Sequence, residues 1–196
     1  HRHDDQGHTH DGHGHDDHYG YHHRSLSEIC GMVDRSALSD ASKDRAKRLF
    51  RRLAEVEAGI HQIPVETVHL HEVGAVDSII DIAGCVFGLE WFGADRIVAS
   101  PLNVGSGTVT CEHGVMPVPA PAPVRLIEGV PVYSKGSSVE LLTPTGALVV
   151  TEYADSYGPM PAMRVHQSGY GAGARDFPDH PNLLRVLIGE EDVSGH

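Results

Sequence analysis

The sequence predicts a mixed α/β fold, or a mixed α+β one, in which helices cover a mixed sheet. Two observations carry this prediction. Segments with helical and with strand periodicity alternate along residues 25–196, whereas residues 1–24 contain no valine, isoleucine, leucine, methionine or phenylalanine that a core could bury. We therefore expect one α/β domain over residues 25–196 and a disordered, histidine-rich tail over residues 1–24.

The predicted elements follow in order from capping signals and hydrophobic spacing. Ser25-Leu-Ser-Glu28 has the spacing of a capping box and predicts a short helix through Val33. Apolar residues at steps of three and four predict a helix over 40–59 and an amphipathic helix over 75–92. Further helices are predicted over 120–128 and 144–157, and strands over 65–73, 96–99, 108–111, 130–133, 163–166 and 184–188.

Composition excludes several classes of protein. The net charge of −12 disfavours binding to the nucleic-acid backbone, and no apolar run approaches the ~18 residues of a membrane span. The three cysteines form no C-x-x-C pair, which favours a reducing cytoplasm over a disulfide framework. Because the first residue is histidine, we expect the chain to be a piece of a longer product.

Histidine is the outlier, because nine of the sixteen histidines lie within residues 1–23. Neutral imidazoles interleaved with aspartates suit a divalent transition metal, without naming which one. An affinity tag is the alternative, but tags are contiguous runs, and this segment is broken by aspartate and glycine. The candidate metal ligands in the tail are His8, His10, His13, His15, His18, His22 and His23.

The segment VHLHEVGAVDSIIDI holds the densest cluster of candidate ligands in the body of the chain. On a strand, His69 and His71 would lie on one face, and on the following helix Asp77 and Asp81 would share another. Two aspartates at this spacing disfavour a helix by up to ~0.5 kcal/mol unless a cation is near. The alternative is that the helix dipole stabilises both aspartates and that both histidines are ordinary, partly buried residues.

A second cluster, Cys111-Glu-His113, could bind a metal or supply a nucleophile and its base. Several glycine-rich segments could hold the phosphate of a mononucleotide, although short glycine turns are common in any sheet. A Walker-type phosphate loop is missing from the sequence. The candidate substrate-binding residues are Gly105, Ser106, Gly107, Thr143, Thr145, Gly146, Gly169 and Gly171.

The ordered set of motifs resembles the LarC family of nickel-insertion proteins. The motifs, in order, are the interrupted histidine tail, VHLHEVGAVDSIIDI, SPLNVGSGTV, HGVMPVPAPAP, EGVPVY, ELLTPTGA, GYGAG and PNLLRVLIGE. The resemblance implies a nickel chelatase (cyclometallase, a lyase) that inserts nickel into pyridinium-3,5-bisthiocarboxylic acid mononucleotide, forming one carbon–nickel and two sulfur–nickel bonds. The product would be the nickel-pincer cofactor of lactate racemase and related enzymes.

The resemblance also implies dependence on CTP with a divalent cation, in a family portion that we expect to lie outside this chain. Metallation of a ring carbon requires the loss of a proton, so we expect a base, with His69, His71 and Glu72 as catalytic candidates. A homo-oligomer is compatible with the sequence. Two other functions stay open, namely a nickel storage or metallochaperone module without catalysis, and a metal-dependent hydrolase.

Overall fold

The computed structural model describes residues 24–70, 76–111, 114–136, 138–177 and 181–191. Apart from Arg24, the predicted tail lies outside these residues. The mixed α/β class is confirmed. The helices are α1 (Leu26–Asp34), α2 (Asp40–His61), α3 (Val76–Phe92), α4 (Pro121–Leu126) and α5 (Pro144–Tyr153). None of the helices in the described part of the chain has the length and apolar content needed to cross a membrane.

The first two helices begin where their capping residues predict. Ser25 accepts a hydrogen bond from the Glu28 N–H, and the Glu28 carboxylate accepts one from the Ser25 N–H, which completes the predicted capping box. Ser39 caps α2 in the same way, by accepting from the Ser42 N–H. Helix α2 ends at His61, because the next residue, Gln62, has a left-handed φ of 55°.

The core is largely helical. Helix α2 packs against all four of the other helices and against the 3-10 turn that follows it. Its apolar face is fully buried at Leu49, Phe50 and Leu53. Leu126 of α4 and Leu148 of α5 close the same cluster. The periodicity of α2 therefore correctly predicts the face around which the domain is built.

The strands of the described residues form five separate two-stranded pairs rather than one mixed sheet. Two pairs are parallel and three are antiparallel, and the longest is the β9–β10 ribbon. The strands are β1 (Arg24–Ser25), β2 (His69–Leu70), β3 (Val98–Ala99), β4 (Leu102–Asn103), β5 (Thr108–Cys111), β6 (Gly114–Pro117), β7 (Val132–Tyr133), β8 (Ser156–Tyr157), β9 (Met163–Ala172) and β10 (Leu183–Glu191).

Among the differences in element bounds, two have a clear physical reason. The strand predicted over 65–73 begins instead with a 3-10 turn, Val65–Thr67, because Pro64 starts a turn that the Thr67 N–H closes onto the Pro64 carbonyl. The helix predicted over 144–157 ends at Tyr153, since the chain turns at Ala154 into the extended strand β8. Strand β8 then pairs in parallel with β3.

Helix α3 is apolar on two faces, not one as the sequence predicts. Ile79, Ile82 and Val86 are buried against α2 and α5. On one flank of this buried face, Ile80 is 62% exposed and Trp91 is 73% exposed. Helix α3 therefore carries a buried apolar face, an exposed apolar stripe and an acidic side.

Candidate functional site

The candidate site begins where the histidine-rich tail joins the body of the chain. Arg24 and Ser25 form β1, which pairs antiparallel with β2, so that Arg24 lies opposite Leu70 and Ser25 lies opposite His69. Leu70 and its neighbour Val68 are almost fully buried, which fixes β2 to the helical core. The last residue assigned to the tail is therefore paired with the strand that carries the first histidine of the predicted cluster.

Helix α3 continues this region. Asp77, Asp81 and Cys85 are all exposed and follow one another at four-residue steps, so they lie along one side of the helix. The Asp77 carboxylate accepts a hydrogen bond from the Ser78 N–H at 2.9 Å, so this N–H of the first helical turn has a local acceptor. Partial burial of the thiol and the neighbouring Asp81 charge raise the pKa of Cys85 above its ordinary value.

Most of the predicted ligands lie outside the described residues. These are His71, Glu72, His113 and the seven tail histidines, whereas for His69 only the backbone is described. Within the described residues, no three His, Cys, Asp or Glu side chains come together in a way that could hold a metal ion. The structure thus brings Asp77 and Asp81 onto one helix side, and the metal-ligand set itself stays a prediction.

Cys111 ends β5 at the tight turn of the β5–β6 hairpin, where it pairs with Gly114. Its thiol donates a weak hydrogen bond to the Gly114 carbonyl, with 3.6 Å between sulfur and oxygen. Glu112 and His113, which stand between the two strands in the sequence, lie outside the described residues. Cys111 is partly exposed at the end of a hairpin, and its predicted role as a metal ligand stays a prediction.

The glycines at 105 and 107 allow two loops to pack closely against each other. Gly105 and Gly107 both have φ of +82°, and a side chain at Gly105 would overlap with the carbonyl oxygen of Val139. The Gly105 N–H donates to the Asn103 side chain, and the Ser106 N–H donates to the Val139 carbonyl. These two N–H groups already have protein acceptors, so a phosphate could bind here only through other groups.

Thr143 occupies the N-cap of α5, as its position before a proline predicts. Its hydroxyl accepts a hydrogen bond from the Gly146 N–H at 3.2 Å. Thr145 lies within this first turn and is partly exposed. Three of the predicted substrate-binding residues are thus together at one helix N-terminus, with one of its N–H groups already capped.

The glycines of the GYGAG segment have a different setting from the predicted tight segment. Gly169 and Gly171 lie within the regular strand β9, opposite Val186 and Leu184 of β10. Most of this ribbon is exposed. These glycines leave a flat strip on one face of the ribbon, and any contact with substrate would be made across that strip.

A polar network between three helices was missed by the sequence analysis. The Ser42 hydroxyl of α2 donates to the Glu90 carboxylate of α3 at 2.5 Å, and Arg45 lies 3.8 Å from the same carboxylate. The Arg45 guanidinium also lies 4.8 Å from the centre of the Tyr153 ring on α5. Glu90 is the only charged residue in the second half of an otherwise apolar helix, and this was the available signal.

Comparison with known proteins finds relatives that match most of this chain. A relative from Geobacillus kaustophilus, named pyridinium-3,5-bisthiocarboxylic acid mononucleotide nickel insertion protein, is 51% identical over 175 residues, covering 89% of this chain and 43% of the relative. A relative of the same name from Desulfitobacterium hafniense is 48% identical over 171 residues, covering 87% of this chain and 42% of the relative. This chain spans less than half the length of these relatives. No solved structure matches it.

The match to a family is equally extensive. Residues 5–196 match the family described as nickel insertion protein, so the match includes most of the histidine-rich tail as well as all five helices. The resemblance drawn from the ordered motifs is confirmed. The chain therefore belongs to the family of nickel insertion proteins.

Proposed function

We propose that this chain carries the nickel-handling part of an enzyme that inserts nickel into pyridinium-3,5-bisthiocarboxylic acid mononucleotide. The observation that supports this proposal most directly is the pairing of β1 with β2. It joins a tail rich in histidine to the strand that carries His69, and His71 follows two residues later in the sequence. Nickel bound by the tail would be released beside the histidines of the body.

The chemistry of insertion sets what these residues have to do. Nickel is the substrate, and it forms one bond to a ring carbon and two bonds to the thiocarboxylate sulfurs. The ring carbon loses a proton as the carbon–nickel bond forms, so a base must lie close to the pyridinium ring. We propose His69, His71 and Glu72 as the candidates for this base, because imidazole and carboxylate both accept protons near neutral pH.

The exposed side of α3 is the proposed holding site for nickel before insertion. Asp77 and Asp81 lie on this side, and neither makes an ion pair with another described residue. Their carboxylates would complement imidazole ligands from His69 and His71, since nickel accepts both nitrogen and oxygen ligands. Cys111, at the end of β5, and His113, two residues later in the sequence, are the second candidate pair.

The mononucleotide phosphate needs donors that are still available. We propose that Thr145 and the exposed first turn of α5 contribute to this site, because a helix N-terminus favours an anion. The resemblance also implies CTP, but the Gly105, Ser106 and Gly146 N–H groups already donate to protein acceptors. The described glycine loops do not fit a triphosphate, and CTP has no role in the steps proposed for these residues.

Two variants of this chain test the proposal by nickel titration calorimetry, each with and without the mononucleotide. In one, His69 and His71 are replaced by alanine. In the other, the seven candidate histidines of the tail are replaced by asparagine. We expect the parent chain to bind nickel in two classes of site, and we expect the mononucleotide to tighten only the class that is lost with His69 and His71.

The matched control is His166→Ala, which removes an exposed histidine beside Glu190 on the β9–β10 ribbon. This variant should bind nickel as the parent does. If the tail variant loses all nickel binding and the mononucleotide has no effect on any protein, the chain is a storage or metallochaperone module and the proposed insertion site is wrong. The tail itself favours this second function, since its histidines need no folded site to bind metal.

The destination of the product follows from the same proposal. The nickel-pincer nucleotide would serve lactate racemase or a related enzyme, and a cytoplasmic location would keep its thiocarboxylate sulfurs unoxidised. The three cysteines of this chain are all free thiols, which agrees with that environment.

A further inference from the structure

Helix α2 carries a buried carboxylate that the proposed insertion chemistry does not use. Of the charged residues that the structure describes, only Glu57 is buried. It lies on the same side of α2 as Leu53, which is fully buried one turn earlier. Because a charge inside a protein is unfavourable unless it is paired, the Glu57 carboxylate favours a cation next to it.

His61 follows Glu57 by one helical turn and belongs to the last turn of α2. Its Nε2 atom lies 3.7 Å from Oε2 of Glu57. This separation is longer than a hydrogen bond and longer than the 2.9 Å between Lys47 Nζ and Asp34 Oδ1 in an ordinary ion pair of the same chain. The nitrogen and the oxygen are therefore close to each other but not hydrogen-bonded to each other.

The separation of these two atoms is near that of two ligands on one metal ion. Atoms that each lie ~2.1 Å from a transition-metal ion are about 3.0–3.4 Å apart in octahedral or tetrahedral coordination. A side-chain movement of roughly 0.3–0.7 Å would bring Nε2 of His61 and Oε2 of Glu57 to that distance. Residues four apart share one face of a helix, so α2 already holds both side chains on one side.

We propose that Glu57 and His61 bind Ni²⁺ together at the end of α2, with water in the remaining coordination positions. The imidazole nitrogen favours a transition metal over Mg²⁺ or Ca²⁺, and the ion neutralises the buried carboxylate. A site with two protein ligands releases its ion readily, which suits a metal that is substrate rather than resident cofactor. The inference rests on the proposed function only for the choice of nickel.

The position of this pair relates it to the candidate site. Seven residues, 62–68, separate the end of α2 from β2, the strand that carries His69. Both β2 and the 3-10 turn that precedes it pack against α2. Glu57 and His61 therefore give the body of the chain a second place to hold nickel, on the helix against which the strand of His69 packs.

The pair of His166 and Glu190 is an internal comparison. Its Nε2 and Oε2 atoms are also 3.7 Å apart, but the two side chains are 52% and 81% exposed. For His61 and Glu57 the exposed fractions are 31% and 7%. Burial fixes the Glu57 carboxylate before the ion arrives and strengthens its attraction to a cation, whereas the exposed pair is solvated and must lose side-chain freedom. We therefore expect nickel to bind at Glu57 and His61 and not at the ribbon pair.

Nickel-induced stabilisation measures this site separately from the histidine-rich tail. The tail histidines need no folded site, so they bind nickel in folded and unfolded chains alike and shift the melting temperature little. Glu57 and His61 come together only on a formed helix. Nickel chloride at 100 times the dissociation constant should therefore raise the melting temperature of this chain by roughly 5–10 °C. No shift with nickel, or an equal shift with magnesium chloride, overturns the proposal.

Two variants and a matched control assign the shift to the pair. Glu57→Gln and His61→Gln each remove one ligand and keep a polar side chain, and each should lose at least half of the nickel-induced shift. His166→Gln should retain all of it. Each variant is compared with itself without nickel, so an effect on the metal-free fold cancels. His61 is partly exposed in the last turn, so His61→Gln keeps the test decisive if Glu57→Gln does not fold.

The same measurement separates this inference from the proposed function. An unchanged shift in His61→Gln overturns the inference. If the shift disappears only when His69 and His71 are replaced by alanine, the proposed insertion site stands and the α2 site is wrong. If the shift is lost in His61→Gln and kept in the variant without His69 and His71, the α2 site stands alone.

Discussion

Ser25 and His69 lie directly opposite each other in the antiparallel pair of β1 and β2. Ser25 is also the residue that caps α1, through its exchange of hydrogen bonds with Glu28. One residue therefore holds the first helix and the strand that carries His69 in a fixed relation. A substitution of Ser25 therefore affects both the start of α1 and the β1–β2 pair that follows the tail.

Replacing Ser25 with alanine should lower the free energy of unfolding by about 1 kcal/mol, because the Glu28 N–H loses its acceptor. Urea denaturation measures this loss. Ser100→Ala, at an exposed serine outside any helix, is the matched control and should be neutral. Equal stability of the two variants would mean that the capping box does not contribute to the fold.

The helices were predictable because their signals are local. The capping box at Ser25 and the apolar spacing of α2 lie within a few turns of chain, so they hold whatever surrounds them. Strands β4 and β8 have only two residues each, too few for any alternation, and they form because distant segments meet. Val65 shows the limit of propensity, since Pro64 turns a β-branched segment into a 3-10 turn.

The candidate site was predictable only as residue types. The sequence placed Asp77 and Asp81 on one helix side, as the structure has them, because helical spacing is regular. The sequence did not predict that the Gly105 and Ser106 N–H groups donate to Asn103 and Val139. Val139 is more than thirty residues from Ser106, so no local pattern indicates their contact. The hydrogen bond between the Ser42 and Glu90 side chains also joins distant segments, so local sequence patterns do not predict it.

Replacing Glu90 with alanine should cost about 2 kcal/mol, because the buried Ser42 hydroxyl loses its acceptor and Arg45 loses its charged partner. Glu90→Gln keeps an acceptor for Ser42 and should lose less than half as much. Chemical denaturation measures both. The control is Glu128→Ala, which breaks an exposed pair with Arg125 and should cost at most ~0.5 kcal/mol. Equal losses for Glu90→Ala and Glu128→Ala would contradict a structural role for this network.

Gly105→Ala separates backbone strain from crowding. Gly105 and Gly129 both have positive φ, of 82° and 80°, but only at Gly105 would a side chain overlap with a neighbouring carbonyl, that of Val139. Gly129→Ala should therefore lose about 1 kcal/mol from strain alone. Gly105→Ala should lose at least ~3 kcal/mol, because the Val139 loop must also move. Thermal unfolding compares the two, and similar losses would show that the loop shifts without cost.

Tyr153 should make the fold sensitive to high pH. Its hydroxyl is buried and has no hydrogen-bond partner in the described part of the chain. Burial raises the pKa of Tyr153 to about 12, from an ordinary value of 10. The folded state keeps the phenol proton that the unfolded state releases, so the stabilisation is complete below pH 10 and is lost as the pH rises through about 12.

Tyr153→Phe removes the unpaired hydroxyl and keeps the ring that faces Arg45. At neutral pH this variant should be as stable as the parent or more stable by up to ~1 kcal/mol. Between pH 10 and about 12 its stability should fall less steeply than that of the parent, although Tyr157, whose pKa burial also raises, keeps part of the slope. Tyr133→Phe, at an exposed tyrosine, should follow the parent curve. The measurement is the denaturation midpoint as a function of pH across this range. If the midpoints of Tyr153→Phe and of the parent fall equally steeply with pH, the Tyr153 phenol ionises as readily in the folded state as in the unfolded one.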